Sequence, residues 1–377
     1  MKSLRNFLDK QKPKFSEGGK FSGLHSVFCG FESFLFVPDT VTSSGAHIRD
    51  AVDLKRTMIT VVFALVPALL FGIYNIGYQH FQFIGQEATF WGMFFFVLWK
   101  VLPMIIVSYV VGLGIEFAVA QMRGHEINEG VLVTGILIPM IMPVEAPLWM
   151  IAVSTAFAVI VGKEIFGGTG MNIWNPALVA RAFFFFAYPA KITGDYVWVA
   201  KAYGAADAVT AATPLAVQAA GTTMSYSLCD AVLGFSPGAV GETSVLAILI
   251  GAVILIVSGV GNWRTMLSVF VGGFVMALAI MGNCNDALMQ LCLGGFAFGA
   301  VFMATDPVTS AQTNCGKYVY GALIGIMAII IRLLNPGYPE GMMMAILLMN
   351  SFAPLIDWFV VQSNIKRRMK RAKVNAK

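Results

Sequence analysis

The chain runs through ten long stretches of apolar residues separated by short polar breaks. They fall at roughly 57–79, 91–120, 130–144, 147–165, 176–190, 243–260, 265–282, 288–304, 317–334 and 339–361. Inside each run apolar residues follow one another without the in–out alternation of a barrel strand, which predicts helices and excludes a β-barrel. About 20 apolar residues span a bilayer, and only helices or closed barrels satisfy the backbone there. The third and fifth runs are short for a crossing. Pro139, Pro143 and Pro147 bracket the third, and Gly167, Gly168 and Gly170 precede the fifth. Both are expected as half-helices or a tilted pair, tolerated where they line a cavity or are buried in protein. The predicted fold class is an all-α polytopic membrane protein of about ten transmembrane helices, with room for two inverted five-helix halves.

Composition agrees. Hydrophobic residues make up 58% of the chain and charged residues only 12%, with mean hydropathy +0.76; soluble domains carry about 25% charged residues. No apolar run follows a basic start closely enough for a cleavable signal peptide. Of the 25 Lys and Arg, nine lie in a basic arm at 1–56 and seven in a basic tail at 362–377, leaving 57–361 as the membrane domain. This bias places both termini in the cytoplasm, as an even number of crossings requires. The same count puts the loop at about 191–242 on the outer side. There Lys191 and Lys201 face Asp195, Asp207, Asp230 and Glu242. The net charge of +5 then reflects topology and implies no nucleic-acid partner.

Metal and nucleotide chemistry find little support. The five cysteines, Cys29, Cys229, Cys284, Cys292 and Cys315, form no CxxC pair, so no disulfide framework, zinc site or iron–sulfur site is expected. His25, His47, His80 and His125 are scattered, against haem or metal ligation. There is no Walker A sequence and no GxGxxG.

One loop carries chemistry of its own. Asp207-Ala208-Val209-Thr210-Ala211-Ala212-Thr213 fits Asp-x-x-(Ser/Thr)-(Ala/Gly)-(Ala/Ser)-(Thr/Ser), which resembles the acceptor sequence of flavin transferases. Such enzymes join the phosphate of FMN to the last hydroxyl, here Thr213. The loop is expected on the side where bacterial flavin transferases work.

Ionisable groups at membrane depth each need a reason. Glu116 ends Val111-Gly112-Leu113-Gly114-Ile115-Glu116. It reads either as a carboxylate taking up a cation, with Gly112 and Gly114 beside a quinone site, or as a snorkelling group over packing glycines. Asp357 lies nine residues before the basic Lys366; its hard oxygens suit Na⁺ entry, and the plain alternative is a salt bridge such as one to Lys366. Arg332 reads as interfacial and Lys100 as the mark of a kink. The densest polar cluster is 163–176. Its glycines permit a non-helical loop, Asn172 and Asn175 offer amides matched to a flavin's pyrimidine edge, and Trp174 offers a stacking ring. A re-entrant filter loop would look much the same. Ala304 to Ser310 is a second cluster, with Asp306-Pro307 as a turn and a lesser candidate for a cation.

Taken together these segments resemble the B subunit of the Na⁺-translocating NADH:quinone oxidoreductases of bacterial inner membranes. The resemblance runs through Arg49 to Arg56, His125 to Gly130, Phe166 to Pro176, the acceptor loop, Asn335 to Met343 and Asn364 to Arg368, in that order. It implies FMN esterified to Thr213, noncovalent riboflavin near Asn172, Asn175 and Trp174, and quinone (ubiquinone or menaquinone) near Gly112. It makes Glu116 and Asp357 the Na⁺-uptake carboxylates. The partners it implies are the A, C, D, E and F subunits of a six-subunit complex and a flavin transferase for maturation. NADH oxidation would belong to one of those partners. Electrons would pass singly from a partner's flavin to FMN, then riboflavin, then quinone, coupled to Na⁺ export. The chain departs from the family at Leu113, where some relatives carry a second glycine, and has Thr210-Ala211 where Ser-Gly is common. Two rival readings stand: the D subunit of the related ferredoxin:NAD⁺ ion pump, and a passive carrier with a urea-channel-like fold and no flavin.

Overall fold

The computed structural model describes residues 2–15, 19, 21, 24–36, 42–46, 48, 54–123, 130–189, 198–200, 213–220, 226–335 and 340–375. Helices α1 (Lys2–Phe15) and α2 (His25–Leu35) lie in the N-terminal arm. The first half of the membrane domain follows as α3 (Leu54–Ile84), α4 (Phe90–Arg123), α5 (Gly130–Ile141), α6 (Leu148–Gly162) and α7 (Pro176–Ala187). Two short helices, α8 (Pro214–Ala219) and α9 (Leu228–Leu233), lie between the halves. The second half comprises α10 (Val245–Val257), α11 (Trp263–Met281), α12 (Cys284–Cys292), α13 (Phe296–Phe298), α14 (Asn314–Leu334) and α15 (Met342–Asn375). Helix α13 runs into a π-helical turn, Gly299–Met303.

Each of the ten apolar runs is helical, and the described residues contain no strand. They differ in reach. Six helices are long and apolar enough to cross a membrane: α3, α4, α6 with its 3-10 extension to Phe166, α11, α14 and α15. The eighth run is a pair bent by 67° at Leu293-Gly294-Gly295. Helices α5 and α7 have 12 residues each and α10 has 13, about 18–20 Å of helix against roughly 30 Å of hydrocarbon. The third and fifth runs are thus short, as their prolines and glycines predict; the short sixth and the bent eighth are findings of the structure. Ser244 caps α10 by accepting from Ala247 N, and the helix stops at Ser258-Gly259, so both ends of that run are polar turns.

Burial explains how short helices persist. A single apolar core joins α3, α5, α6, α7 and α10 to α15, with Phe184, Phe296, Phe298 and Tyr320 fully enclosed. Phe95, Trp99, Val110, Val253 and Val257 point outward from the perimeter, as a hydrocarbon surrounding requires. The C-terminal end of α5 meets the segment before α10 at the centre, where Gly241 N donates to Met140 O at 2.8 Å. A Cβ on Gly241 would stand 2.9 Å from Met140 Cε and from Phe298 Cε2, so only glycine fits there.

Parts of the predicted arm and tail are built into helices. Residues 362–375 continue α15 without a break, and α2 rests on α4 through Phe31 stacked on Phe117 at 6.4 Å. Lys12 bridges α1 to Glu32 of α2 at 2.9 Å.

Candidate functional site

The 163–176 cluster folds as an open loop against the N-terminal ends of α5 and α7. Gly167, Gly168 and Gly170 take φ of 121°, 97° and 93°, the left-handed region that side chains rarely enter. The loop therefore turns back on itself and delivers Asn172 and Asn175 to one cleft. Asn175 caps α7, Oδ1 accepting from Ala177 N at 3.0 Å, with Pro176 in the first helical position, where its missing N–H costs nothing. Its Nδ2 donates to Asp306 Oδ2 at 3.4 Å. Asn172 Nδ2 donates to Trp174 O at 3.1 Å.

The cleft lies at the N-terminal end of α3, walled by Thr57, Val133 and Leu137 together with Phe302, Thr305 and Asp306, and Lys163 also lines it. Its 110 Å³ lies below the 300–1,000 Å³ usual for organic ligands, so a flavin would enter only if the walls part. Trp174 is not part of the lining. Its indole meets Phe166 edge-on at 5.8 Å and donates to Ser351 Oγ at 2.8 Å. Of the three expected flavin contacts, the structure brings the two asparagines together and holds the tryptophan apart.

Glu116 is buried and paired with Lys163, itself buried. Beside them Arg123 Nη2 donates to Glu164 O at 2.9 Å, and its Nη1 lies 3.6 Å from Glu164 Oε2. Glu116 is thus no snorkelling carboxylate at a wet helix end. Gly112, one turn earlier on α4, is packed: its Cβ would stand 3.2 Å from Val131 and 3.7 Å from Thr155. Gly114 faces open space, with nothing within 4 Å. The two glycines therefore serve opposite faces of α4.

Asp357 turns inward to the start of α14. Oδ2 accepts from Gln312 N at 2.7 Å, and Oδ1 accepts from Thr313 N at 3.0 Å and Thr313 Oγ1 at 2.5 Å. Thr313 is itself the N-cap of α14, so Asp357 sits where a helix N-terminus favours an anion. It forms no salt bridge among the described residues. Asp357→Ala is expected to lower stability by about 0.5–2 kcal/mol, the usual worth of a cap; Asp357→Asn is expected to retain most of it, and thermal melting of the purified protein checks both.

Deeper in the bundle lies a network that no sequence motif announces. Arg181 of α7 is buried between Glu242 and Glu340, its Nη1 pairing with Glu242 and its Nη2 donating to Glu340 at 2.5 Å. Arg332, expected at an interface, is 4% exposed and holds Gln290 O at 2.5 Å, Leu293 O at 3.3 Å and Glu340 O at 3.2 Å. It thereby ties down the break between α12 and α13. Lys100 marks no bare kink: it pairs with Glu145 at 2.5 Å.

Thr213 is the only residue of the acceptor sequence among the described residues; Asp207 to Ala212 lie outside them. It caps α8, its half-buried Oγ1 accepting from Ala216 N at 3.2 Å. That bond uses a lone pair and leaves the O–H for substitution. Gln218 on the same helix accepts from Gln290 Nε2 at 2.7 Å. Arg49 to Asp53, His125 to Glu129 and Pro336 to Pro339, each part of a segment that carries the resemblance, also lie outside the described residues.

Half-helices meeting inside one apolar core, a polar loop turned into the bundle and buried ion pairs define a polytopic α-helical membrane protein with polar chemistry at membrane depth. Residues 41–366 match the family model described as the NQR2, RnfD, RnfE family, and the chain belongs to that family. It is 47% identical to the Na(+)-translocating NADH-quinone reductase B subunit of Chromohalobacter salexigens, over 98% of this chain and 96% of the relative. It is 43% identical to the protein of the same name from Azotobacter vinelandii, over 98% of this chain and 99% of the relative. The Ectopseudomonas mendocina protein of that name is 42% identical over 98% of this chain and 99% of its own length.

Proposed function

We propose that this chain is the B subunit of a Na⁺-translocating NADH–quinone reductase of the bacterial inner membrane, carrying FMN on Thr213. The observation that carries the reading is full-length similarity to relatives of that name together with a threonine that ends an acceptor sequence and has a substitutable hydroxyl. Both rivals are weaker: these relatives favour the quinone reductase over the ferredoxin-linked pump, and a passive carrier has no use for the acceptor.

A flavin supplies one- and two-electron redox chemistry; the chain's own residues supply position and charge. Esterification replaces the Thr213 O–H, and the ester oxygen still accepts from Ala216 N, so the cap of α8 survives loading. Asn172 and Asn175 present the amides for riboflavin in the first cleft, and Lys163 adds an ammonium to its lining. Gly112 and Gly114 on α4 remain the candidates for the quinone's neighbourhood. Glu116 takes a cation only when Lys163 releases it, because a buried carboxylate paired with an ammonium has no charge to offer. Asp357 is assigned to capping α14, since its oxygens already hold three donors. NADH oxidation falls to a partner in the complex, and both termini lie in the cytoplasm by the distribution of basic residues.

The test is the complex produced with its flavin transferase and run on a denaturing gel under ultraviolet light. This chain's band is expected to fluoresce, and Thr213→Val to abolish that fluorescence. A dark wild-type band next to a fluorescent sister chain would sink the assignment.

A further inference from the structure

A second cleft opens at the C-terminal end of α3, some 21 residues along that helix from the first, or about 32 Å. It measures 420 Å³ and is lined by Tyr78, Gln79, Gln82, Tyr226, Asp230 and Phe235, with Phe83 beside them. This is the size expected for an organic ligand. Three features bear on what it holds.

The first is Gln79, 5% exposed, whose side-chain amide has no hydrogen-bond partner among the described residues. The rest of the side chain is covered, and its amide lies on the cleft wall, open to a ligand's polar edge. Asp230 at the rim is not equivalent, because Ser227 N and Oγ already donate to it at 3.1 and 2.6 Å. The second feature is aromatic walling: Phe235 meets Tyr78 edge-on at 5.3 Å, and Tyr226 forms another side. Flat rings suit such walls. The third is position. Tyr226 packs against the cluster that contains Leu215, two residues beyond Thr213 on α8.

Resting on the assignment of FMN to Thr213, we propose that this cleft receives the isoalloxazine ring of that tethered flavin, with Gln79 bonding its pyrimidine edge. An amide offers one donor and one acceptor side by side, the complement of the ring's imide N–H and carbonyl. The ribityl phosphate leaves the ring free to swing, so attachment at Thr213 fixes where the flavin begins and the cleft fixes where its ring comes to rest.

The measurement is flavin fluorescence anisotropy and emission in the intact complex, taking the signal lost in Thr213→Val as this flavin's share. Gln79→Leu removes the amide with little change of volume, and Tyr226→Leu removes an aromatic wall. Each lost contact is expected to shift the docked-to-free ratio of the ring by about fivefold, seen as lower anisotropy and brighter emission as the quenching aromatic surfaces are left. Gel fluorescence should stay unchanged, showing that attachment is intact. Gln82→Trp at the exposed rim, far from the folding core, is a further variant that obstructs the mouth and should act in the same direction. Unchanged anisotropy and emission in all three variants, with Thr213→Val still dark, would overturn the docking proposal alone. No Thr213-dependent signal in the wild type would overturn the underlying assignment instead.

Discussion

Lys163→Met is expected to destabilise the protein by about 3–5 kcal/mol, because it removes one member of the buried Glu116–Lys163 pair. The double variant Lys163→Met with Glu116→Gln should recover much of the loss, since a buried amide carries a far smaller desolvation cost than a buried carboxylate. Thermal unfolding of the wild type, both single variants and the double variant completes the cycle. If the double variant is as unstable as the sum of the two single variants, the ion pair does not control stability at this site.

Arg181→Met should cost as much or more, since one guanidinium serves both Glu242 and Glu340. Glu242→Gln in the same background should recover part of the loss, since it removes one of the two carboxylates that Arg181 holds. Melting temperatures of the wild type, the single variant and the double variant check both statements.

The parts of this fold that are legible in the sequence are the local ones. An unbroken apolar run encodes a helix by itself, and Pro143 and the glycines at 167, 168 and 170 announce where helices must stop. The acceptor threonine is equally local. Arg181 is harder to place, although an arginine within Pro176–Ala187 is itself an anomaly worth marking; its partners lie 61 and 159 residues away. Arg332 looks interfacial because turn residues follow it, while its burial depends on α12 and the break after it. Asp357 shows the same limit: a carboxylate near a basic tail looks alike in sequence whether it faces water or the start of α14. The bent eighth run does carry a visible sign, Gly294-Gly295, but a glycine pair also occurs in straight packed helices, such as Gly272-Gly273 in α11.

The meeting of half-helices at Gly241 has an electrical consequence. On one side Phe302 belongs to the first cleft; its ring lies 5.0 Å from Phe298, which with Met140 closes around Gly241. The next residue, Glu242, already belongs to the charged network around Arg181. The low-polarity layer between two polar regions is thus a few side chains deep, far thinner than the bilayer around it. A membrane voltage acts mainly where polarisability is lowest, so much of it should fall across this septum. A unit charge crossing the whole potential exchanges about 2.3 kcal/mol per 100 mV, and here most of that work would be done within a single layer of aromatic and thioether groups.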